Sequence, residues 1–510
     1  MHQRFEEALA RVSKALGGRH ELFIGGKDRD AAETTELAAP FDSRLRLGMF
    51  PVASKTDVDD AMGAAQEAFS TWRATSVDER ARLVRRVSDL LEERVYDIAA
   101  AMVLEVGKNR MEALGEAQEA VDLCRYYADD FESHGGYAHE LPDDPIEGVK
   151  SHNISVTRPH GPWVVISPFN FPLALSAGPA AAALVTGNTV VLKGSEETPW
   201  TNRLFADCIR DAALPNGVFS YLAGDSVVGE LMVGHPLTAG VTFTGSAEVG
   251  RHLIQQMSQG PWPRPCIAEM GGKNSCIVTE HANLDDAAVG IVRSAYGLSG
   301  QKCSALSRLY VQESVADALI DRLRKQIAAI RIGDPRQREN WMGPVVNATA
   351  YGHYQQYVGD LKADGATMLA GGNAIGEGSR GPAELSHGHF VEPALIETPL
   401  EHRLWKQEMF VPILMLHRYS DRDEAMRLAN DSHLGLTAGF YGGADEVSWF
   451  NDNIEAGVTY ANRPQGATTG SWPGYQPFGG WKSSSSTGKA IASFYYLAQY
   501  LREQSRTVVE

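Results

Sequence analysis

From about Gly161 onward, short β-branched runs alternate regularly with Ala/Leu-rich runs. The runs predicted to be strands are 163–166, 189–193, 218–222, 241–244 and 265–269. Helical patterns fill the intervals at about 174–186, 200–213, 226–234 and 246–258. Strands that alternate with helices form a parallel sheet covered by helices on both faces. The pattern therefore predicts an α/β fold.

Residues 56–135, before the first alternation, are helical in pattern. A second alternation begins near Lys273. It predicts a strand at 275–278, a helix at about 284–299, a strand at 307–311 and a helix at 315–331. The chain has 510 residues, three to four times the length of a typical domain of about 150 residues, so one domain is too few. We expect two large α/β domains. A Gly/Ser/Pro-rich loop is expected at 370–390, and the tail at 495–509 is expected as a strand or a docked helix.

The charge and the cysteines exclude several classes of protein. Lys and Arg total 47 and Asp and Glu total 64, so the net charge of −17 would repel nucleic-acid phosphates. The five cysteines form no C-x-x-C pair, and we expect neither a zinc site nor a disulfide framework. The first residues are too acidic for a signal peptide, and glycine and proline interrupt the apolar stretch 173–192. We expect a cytoplasmic protein with no membrane partner, in which that stretch forms a buried helix, a turn and a strand.

Cys303 differs from the other cysteines in its surroundings. It lies in a stretch of small and polar residues between a predicted helix and a predicted strand, directly after Lys302. Backbone N–H groups in such a loop, together with the Lys302 ammonium, favour the thiolate, which is the reactive form of cysteine. A lone cysteine is more often structural, so this pattern indicates a nucleophile only if a base accompanies it.

Two polar residues that follow predicted strands are candidates for the rest of a reactive centre. Glu269 ends one strand and is followed closely by Gly271 and Gly272. A buried carboxyl group with a raised pKa can act as a general base for water, and a capping or ion-paired carboxylate is the alternative. Asn170 follows another strand, where an amide N–H can stabilise an oxyanion.

The signals for nucleotide binding are weak when each is taken alone. The G-x-G-x-x-G match at 376–381 lies in the polar loop without a preceding strand, and we interpret it as coincidence. Gly245 and Ser246 follow a strand and open a helix, where N–H groups and a hydroxyl can bind a diphosphate or where the chain simply turns. Lys193 and Glu196 lie at the end of another strand and can hold a ribose or form a solvated pair.

Taken in order, these motifs resemble the aldehyde dehydrogenase superfamily over about residues 40–500. The motifs are Pro-Phe-Asn170-Phe, Lys193-x-x-Glu196, Gly245-Ser246-x-x-x-Gly250, Glu269-x-Gly-Gly-Lys, Gly300-Gln-Lys-Cys303 and Glu408-Met-Phe410-Val-Pro412. The resemblance implies a Rossmann-type NAD-binding domain at 1–272, an α/β catalytic domain at 273–484 and an oligomerisation tail at 485–510. A protruding oligomerisation segment is implied near 145–160. The resemblance also implies NAD as cofactor, a small aldehyde as substrate, no metal, and a homodimer or higher homo-oligomer.

The site residues of the superfamily can be assigned to the matching positions of this sequence. The resemblance makes Cys303 the nucleophile, Glu269 the base that activates water, and Asn170 a donor to the oxyanion. The positions implied to bind the cofactor are Ser167, Phe169, Lys193, Glu196, Gly245, Ser246, Glu408 and Phe410. The positions implied to bind the substrate are Glu119, Phe171, Lys302, Ser304, Gly470, Ser471 and Phe478. Because Glu196 would repel a 2′-phosphate, NAD is expected in preference to NADP.

Within the superfamily, the sequence is most similar to the 1-pyrroline-5-carboxylate dehydrogenase family, which oxidises glutamate γ-semialdehyde to glutamate in proline degradation. The similar stretches are 294–310, 470–480 and 118–127. Two departures lie beside the expected substrate loop: the segment 464–469 is longer than usual, and Ser-Ser-Ser-Ser-Thr at 483–487 replaces the more familiar Leu-Ser-Gly-Thr. They leave open a second substrate class, another ω-semialdehyde such as succinic or glutaric semialdehyde.

Overall fold

A computed structural model describes residues 1–379, 381–466 and 472–509 of the chain. The α-helices of these residues are α1 His2–Val12, α2 Lys55–Trp72, α3 Val77–Glu93, α4 Val95–Val106, α5 Arg110–Ser133, α6 Ala174–Val185, α7 Pro199–Asp211, α8 Ser226–Gly234, α9 Ala247–Met257, α10 Leu284–Tyr296, α11 Glu313–Ala328, α12 Ala348–Ala363, α13 Arg422–Asn430 and α14 Val447–Asn453. The β-strands are β1 Gly18–Arg19, β2 Leu22–Ile24, β3 Lys27–Arg29, β4 Glu33–Ala39, β5 Asp42–Val52, β6 His139–Leu141, β7 Ser151–Pro159, β8 Pro162–Ile166, β9 Thr189–Lys193, β10 Phe219–Leu222, β11 Gly240–Thr244, β12 Cys266–Glu269, β13 Asn274–Val278, β14 Leu306–Gln312, β15 Thr367–Ala370, β16 Ala394–Glu397, β17 Ile413–Tyr419, β18 Leu434–Gly435, β19 Thr437–Tyr441, β20 Val458–Ala461, β21 Trp481–Lys482 and β22 Leu501–Val509.

The first large sheet contains the five strands predicted after Gly161, which are confirmed to within one residue at each end. Its order is β12-β11-β8-β9-β10-β2-β3, in which β8 to β12 run parallel and β2 and β3 extend one edge antiparallel. The parallel strands are almost entirely buried, which explains their continuous apolar runs. The chain runs from β8 to β10 in one direction and then returns to place β11 on the other side of β8. This reversal opens a crevice beyond the carboxyl ends of β8 and β11, where ligands bind in such sheets.

The second large sheet has the order β15-β16-β17-β14-β13-β19-β20 and is parallel except for its edge strand β15. The strands predicted at 275–278 and 307–311 are confirmed as β13 and β14. The helix predicted at 284–299 ends earlier, at Tyr296, because the backbone turns left-handed at Leu298 and Ser299.

Each large sheet lies in its own hydrophobic core. One core is formed by residues from the first 270 positions together with Tyr496 and Tyr500 of the tail. The other is formed by residues between Cys276 and Tyr460. Burying one large apolar side chain contributes roughly 1.5–3 kcal/mol, so two cores of this size can each sustain a sheet. The expected boundary after residue 272 falls in the link between β12 and β13, and the domain limits themselves stay predictions.

A third, smaller sheet, β22-β7-β6, combines the tail with the segment expected near 145–160. Strand β22 pairs antiparallel with β7 over nine residues, from Leu501 opposite Pro159 to Val509 opposite Ser151. The tail is therefore a strand, and it follows a short 3₁₀ turn at Leu497–Tyr500. Strand β22 forms the edge of this sheet, and its side chains are mostly exposed.

Two further regions are the chain before Lys55 and the stretch 173–192. The chain before Lys55 forms β1 to β5, including the antiparallel pair β4 and β5, and no sequence prediction covers these strands. The stretch 173–192 forms the buried helix α6, a turn and strand β9, as predicted. Within the described ranges, no helix combines the length and the apolar character needed to cross a bilayer.

Candidate active site

The loop that carries Cys303 lies between α10 and β14, at the amino end of the second sheet. It begins with a tight turn at Gly297–Gly300, in which Leu298 and Ser299 have φ values of 48° and 54°. Left-handed backbone is unfavourable for residues with a side chain, so surrounding contacts must hold it. One of these contacts is the hydrogen bond that Ser299 Oγ donates to the carbonyl of Gly343 at 2.8 Å. The nucleophile expected from the sequence therefore lies on a constrained loop.

Asn274 of β13 holds this loop from the neighbouring strand. Its Nδ2 donates to the carbonyls of Cys303 at 2.7 Å and Ala305 at 2.8 Å. Its Oδ1 accepts from the N–H of Thr437 at 2.9 Å. Asn274 is buried, so these bonds form in a medium of low dielectric constant. Sequence reasoning did not identify Asn274, and its only signal is its place directly after the Gly-Gly-Lys motif.

The two glycines after Glu269 allow the two sheets to meet at this loop. A Cβ atom on Gly272 would lie 2.2 Å from the carbonyl oxygen of Cys303. A Cβ atom on Gly271 would lie 2.1 Å from Oε2 of Glu408. The contact at Gly272 is with backbone and cannot form, so glycine is required there, whereas a side chain at position 271 would displace the Glu408 carboxylate. The carboxyl end of β12 thereby comes into direct contact with the Cys303 loop.

Asn170 reaches the same loop from the first sheet. It follows β8, it is buried, and its Nδ2 donates to the carbonyl of Gln301 at 3.0 Å. Gln301 is itself held, because its Oε1 accepts from the N–H of Val346 at 2.8 Å. The candidate oxyanion donor and the candidate nucleophile therefore lie in one centre.

Glu269 presents a buried carboxyl group at the end of β12. Its Oε1 accepts a hydrogen bond from Ser485 Oγ at 2.8 Å. Its Oε2 is buried and has no hydrogen-bond partner among the described residues. Burial raises the pKa of Glu269 to about 8, and the hydrogen bonds from Ser485 and from the N–H of Gly480 oppose that shift. A carboxyl group with this pKa is a stronger base than an exposed glutamate.

The environment of Cys303 differs from the expectation. Burial raises the pKa of its thiol to about 12, and the nearby carboxyl groups of Glu408 and Glu269 add to the shift. Lys302 does not offset this, because its Nζ pairs with Glu112 Oε1 at 2.9 Å. The N–H groups of Ser304 and Cys303 lower the pKa of the thiol, as expected of this loop, but burial outweighs them. The expectation for Lys302 is wrong, and Cys303 needs a base to become nucleophilic.

A cavity of about 650 Å³ adjoins the Cys303 loop. Three of the residues expected to bind substrate line it, namely Glu119, Phe171 and Lys302. The wall also contains cationic side chains, among them Arg110 and Arg293. A cavity with charged groups of both signs suits a substrate that carries both a carboxylate and an ammonium group.

The other expected substrate residues are placed differently. Ser304 is buried, and its carbonyl accepts from Thr437 Oγ1 at 3.3 Å. Phe478 is half-buried and pairs through its backbone with Ile491. Gly470 and Ser471 lie outside the described residues. The assignment of all these positions to the substrate stays a prediction.

A buried ion pair beside the cavity was not anticipated from the sequence. Lys108 pairs with Glu116, and the ammonium lies 4.0 Å from the centroid of the Phe171 ring. Glu116 Oε1 also accepts from the N–H groups of Leu173 at 2.8 Å and Ala174 at 3.2 Å, at the start of α6. The pair therefore fixes the chain that follows Asn170. In the sequence both residues read as ordinary charges on a helical pattern.

Four expected cofactor residues lie at the carboxyl ends of the first sheet. The N–H of Ser167 donates to the carbonyl of Lys193 at 3.1 Å, which ties the ends of β8 and β9 together. Ser246 caps α9 by accepting an N–H of its first turn at 3.3 Å. The N–H of Gly245 donates to the carbonyl of Glu269 at 3.1 Å. The expectation that this N–H points at a diphosphate is therefore wrong, because it serves the strand ladder.

Lys193 and the remaining cofactor candidates flank the crevice. Lys193 is buried. Its Nζ donates to the carbonyl of Gly194 at 3.0 Å and lies 3.9 Å from Oε2 of the exposed Glu196. Burial lowers the pKa of Lys193. On the other side, the rings of Phe169 and Phe410 meet edge to face at 5.8 Å.

Glu408 links the crevice to the Cys303 centre. Its Oε1 accepts from the N–H of Gly272 at 2.9 Å. Burial raises the pKa of Glu408 to about 7, against the effects of that hydrogen bond and of the nearby Lys273.

Two exposed valines on the crevice helices were missed by sequence reasoning. Val227 on α8 and Val249 on α9 are 60% and 44% exposed. These helices follow β10 and β11 and contact each other. Exposed apolar side chains at the rim of a ligand crevice are typical of a surface that an aromatic ring covers. Their signal in the sequence is an apolar residue on the otherwise polar side of a helix start.

Comparison with known proteins agrees with this architecture. The model of the aldehyde dehydrogenase family matches residues 27–505. The chain belongs to this family. As an aldehyde dehydrogenase it is an enzyme, and the predicted fold, with a Rossmann-like first sheet and a second α/β unit, is confirmed.

Several similar proteins that share one name match this chain over nearly its whole length. The 1-pyrroline-5-carboxylate dehydrogenase of Geobacillus sp. (strain WCH70) is 35% identical over 515 residues, which cover 99% of this chain and 96% of that protein. The protein of the same name from Bacillus subtilis (strain 168) is 33% identical over 517 residues, with coverages of 99% and 96%. The crystal structure of 1-pyrroline-5-carboxylate dehydrogenase from Thermus with bound NAD is 31% identical, covers 99% of this chain and 96% of that one, and has a TM-score of 0.93.

Proposed function

We propose that this chain oxidises L-glutamate γ-semialdehyde, the open form of 1-pyrroline-5-carboxylate, to L-glutamate with NAD in proline degradation. The proposal is supported by relatives named for that activity at 33% to 35% identity. One observation carries its chemistry: the Cys303 loop, Glu269 and Asn170 meet beside a charged cavity. A nucleophile, a base and an oxyanion donor are what oxidation of an aldehyde through a thioester requires.

The residues at the crevice of the first sheet fit NAD. We assign Lys193 and Glu196 to the adenosine ribose, because a carboxylate accepts two hydroxyls and repels a 2′-phosphate. Ser246 at the start of α9 suits the diphosphate, and Glu408 suits the nicotinamide ribose. The exposed valines of α8 and α9 support this fit, since they offer an apolar surface to adenine. The remaining residues proposed to line the crevice are Ser167, Phe169, Gly245 and Phe410. When bound, the nicotinamide ring accepts the hydride that the substrate carbon loses.

The first chemical step is the attack of Cys303 on the aldehyde carbon. With a thiol pKa raised to about 12, its proton must pass to a base as Sγ bonds to the aldehyde carbon. Glu269 is a buried carboxyl group close enough to affect that pKa, and it serves as the acceptor. The Nδ2 of Asn170 and the backbone N–H of Cys303 then donate to the oxyanion. Each such donor lowers the barrier by roughly 3–4 kcal/mol.

Glu269 also performs the last step. Loss of the hydride leaves a thioester on Sγ of Cys303. Glu269 releases the thiol's proton to solvent and then takes a proton from the water that attacks the thioester. The acid is released and the thiol is regenerated. A carboxyl pKa near the working pH suits a base that must accept and return a proton in each cycle.

The polar end of the substrate requires partners of both charges. Glu119 and Lys302 on the cavity wall are proposed to face its ammonium and carboxylate, and Phe171 to pack on its aliphatic carbons. Ser304, Phe478, Gly470 and Ser471 are retained as proposed contacts from the family resemblance. Such a site should favour a substrate that carries both charges over simple aldehydes, which offer these side chains no charged group.

The assembly is proposed from the third sheet. Strand β22 leaves its outer backbone groups unpaired within the described chain, and such edges are ready to bind another copy. We propose a homodimer or higher homo-oligomer that uses this sheet. A cytoplasmic location stays a prediction from the sequence.

A substrate panel tests the proposal. NADH or NADPH formation by the purified protein is measured with 1-pyrroline-5-carboxylate, succinic semialdehyde, glutaric semialdehyde and propanal. We expect kcat/KM with 1-pyrroline-5-carboxylate and NAD to exceed the others by about tenfold or more. Cys303→Ala is the control and should abolish every reaction. A higher kcat/KM with succinic or glutaric semialdehyde would move the assignment to that class, and no product from any aldehyde would overturn it.

A further inference from the structure

Three consecutive serines, Ser484, Ser485 and Ser486, run alongside strand β12. The backbone N–H of Met270 donates to the carbonyl of Ser484 at 2.8 Å, and the N–H of Ser486 donates to the carbonyl of Ala268 at 2.9 Å. The segment is thus held in antiparallel register against the strand that ends in the candidate base. It belongs to the stretch 483–487, where the sequence departs from the Leu-Ser-Gly-Thr of the family.

The middle serine uses its side chain in a way that its neighbours do not. Ser485 Oγ donates to Oε1 of Glu269 at 2.8 Å. The same oxygen accepts from the N–H groups of Thr487 at 3.4 Å and Gly488 at 3.2 Å. Because its lone pairs face these two donors, the hydroxyl hydrogen is left for the carboxylate. Chains of hydrogen bonds of this kind polarise one another, which strengthens the bond to Glu269.

We propose that Ser485 is a positioning residue that orients the Glu269 carboxylate and stabilises its charged form for hydrolysis of the thioester. Oε1 is engaged by the serine, and Oε2 is left as the oxygen that accepts the proton of water. The inference rests on the proposed role of Glu269 as the base.

The other titratable groups that interact with Glu269 do not replace this bond. They are the Cys303 thiol and the phenols of Tyr496 and Tyr500. Burial raises the pKa of both phenols, so they stay neutral while Glu269 titrates. None of the three carries a positive charge that would favour the carboxylate.

The bond from Ser485 therefore has a predictable effect on pH dependence. Burial pushes the pKa of Glu269 up, and the hydrogen bonds from Ser485 and the Gly480 N–H pull it down, with Ser485 the larger of the two. Loss of the hydroxyl should raise the pKa of Glu269 further. The base would then be protonated over a wider range of pH, and hydrolysis would slow in that range alone.

An ester substrate isolates this step from NAD and from the aldehyde. p-Nitrophenyl acetate acylates Cys303 directly, and hydrolysis of the acyl enzyme is followed from about pH 6 to about pH 10. The wild-type rate should rise with an apparent pKa of about 8. Ser485→Ala should raise that pKa by about one unit, so the rate at pH 7 falls about tenfold while the rates converge at high pH.

Matched variants separate positioning from stability. Ser485→Thr keeps the hydroxyl and should restore the wild-type profile. Ser486→Ala removes a hydroxyl that bonds only the backbone of β12, at the carbonyl of Cys266 and the N–H of Ala268, and should leave the apparent pKa unchanged. An Ser485→Ala profile that superimposes on the wild type, or that falls by one factor at every pH, would overturn the proposal.

The same experiment distinguishes failure of this inference from failure of the proposed function. Glu269→Gln should remove the titration altogether and leave a slow, pH-independent hydrolysis. If Glu269→Gln keeps the wild-type profile, the assignment of the base fails, and the role of Ser485 fails with it. If Glu269→Gln behaves as expected and Ser485→Ala shows no shift, only the role of Ser485 is wrong. The substrate assignment is untouched by either result.

Discussion

Glu269 and Cys303 are held in contrasting ways. Glu269 ends a strand of the first sheet, and its backbone belongs to a regular parallel ladder. Cys303 lies before a strand of the second sheet, on a loop with left-handed residues that depends on side-chain bonds such as those from Asn274. The base is therefore positioned by secondary structure and the nucleophile by specific polar contacts. Each sheet supplies one half of the reaction, and the halves meet only because Gly272 lets the chains touch.

The contrast extends to the electrostatics of the two groups. Both have pKa values raised by burial, to about 8 for Glu269 and about 12 for Cys303. The shift makes the carboxyl group a better base and the thiol a poorer acid. The nucleophile thus depends on the base, and the two halves are expected to fail in different ways.

The largest expected effect comes from removing the base. Glu269→Gln should lower the steady-state rate of NADH formation by about 10²- to 10⁴-fold, the usual contribution of a general base. A slower burst of NADH, up to one per active site, should remain, because solvent can take the thiol proton slowly when the Glu269 carboxylate is absent. Stopped-flow measurement of NADH checks this, with Cys303→Ala as the control that removes the burst. Loss of the burst in Glu269→Gln as well would mean that the two halves do not act separately.

A smaller effect should follow from loosening the nucleophile. Asn274→Ala removes hydrogen bonds to Cys303 and Ala305 and leaves buried carbonyls without partners, which costs about 3 kcal/mol of stability. Misplacement of the thiol should lower kcat about 100-fold in the protein that remains folded. Thermal unfolding and kcat per folded molecule are the two measurements.

The control for this prediction is a buried asparagine of the first sheet. Asn188 accepts from the N–H groups of His160 and Gly161 and donates to Thr186 and Tyr500. Asn188→Ala should destabilise the fold by a similar amount with little change in kcat. Equal losses of kcat in both variants would show that the Cys303 loop is not especially dependent on its polar anchor.

The smallest effect is expected at the cofactor crevice. Val249→Thr replaces a methyl group by a hydroxyl on the exposed valine of α9, which should cost about 1 kcal/mol of binding. That loss corresponds to about a fivefold higher KM for NAD, with kcat unchanged. Ile146→Thr, at another exposed aliphatic residue, is the control and should leave this KM unaltered. An unchanged KM in Val249→Thr would place adenine elsewhere.

The arrangement of strands and helices could be predicted because it depends on local patterns. The runs at 163–166 and 189–193 are rich in β-branched residues, and such short runs next to helical patterns allow few alternatives to buried parallel strands. The strands before Lys55 could not be predicted in the same way. Strands β1 to β3 are only two or three residues long, and the burial of β4 and β5 does not alternate regularly, so none of them shows the periodicity that identifies a strand.

The candidate site was predicted only in part. Cys303, Glu269 and Asn170 lie in motifs that the sequence displays, but their convergence depends on contacts between the two sheets. The roles of Lys108 and Asn274 could not be predicted, because a buried charge or amide looks the same in sequence as an exposed one. The orientation of Lys302 toward Glu112 is likewise invisible in a linear motif that places it beside Cys303.

The family, the two largely parallel sheets and the residue types that perform the chemistry follow from periodicity and from short motifs. The hydrogen bonds and charges that each of those residues meets follow from the packing of segments that are distant in the chain. In the folded protein Lys302 pairs with Glu112 and not with the thiol. The N–H of Gly245 donates to the carbonyl of Glu269, and the hydroxyl of Ser485 donates to the Glu269 carboxylate. The physical reason is that pKa values and hydrogen bonds depend on burial and on neighbours remote in sequence, which appear only when the sheets pack together.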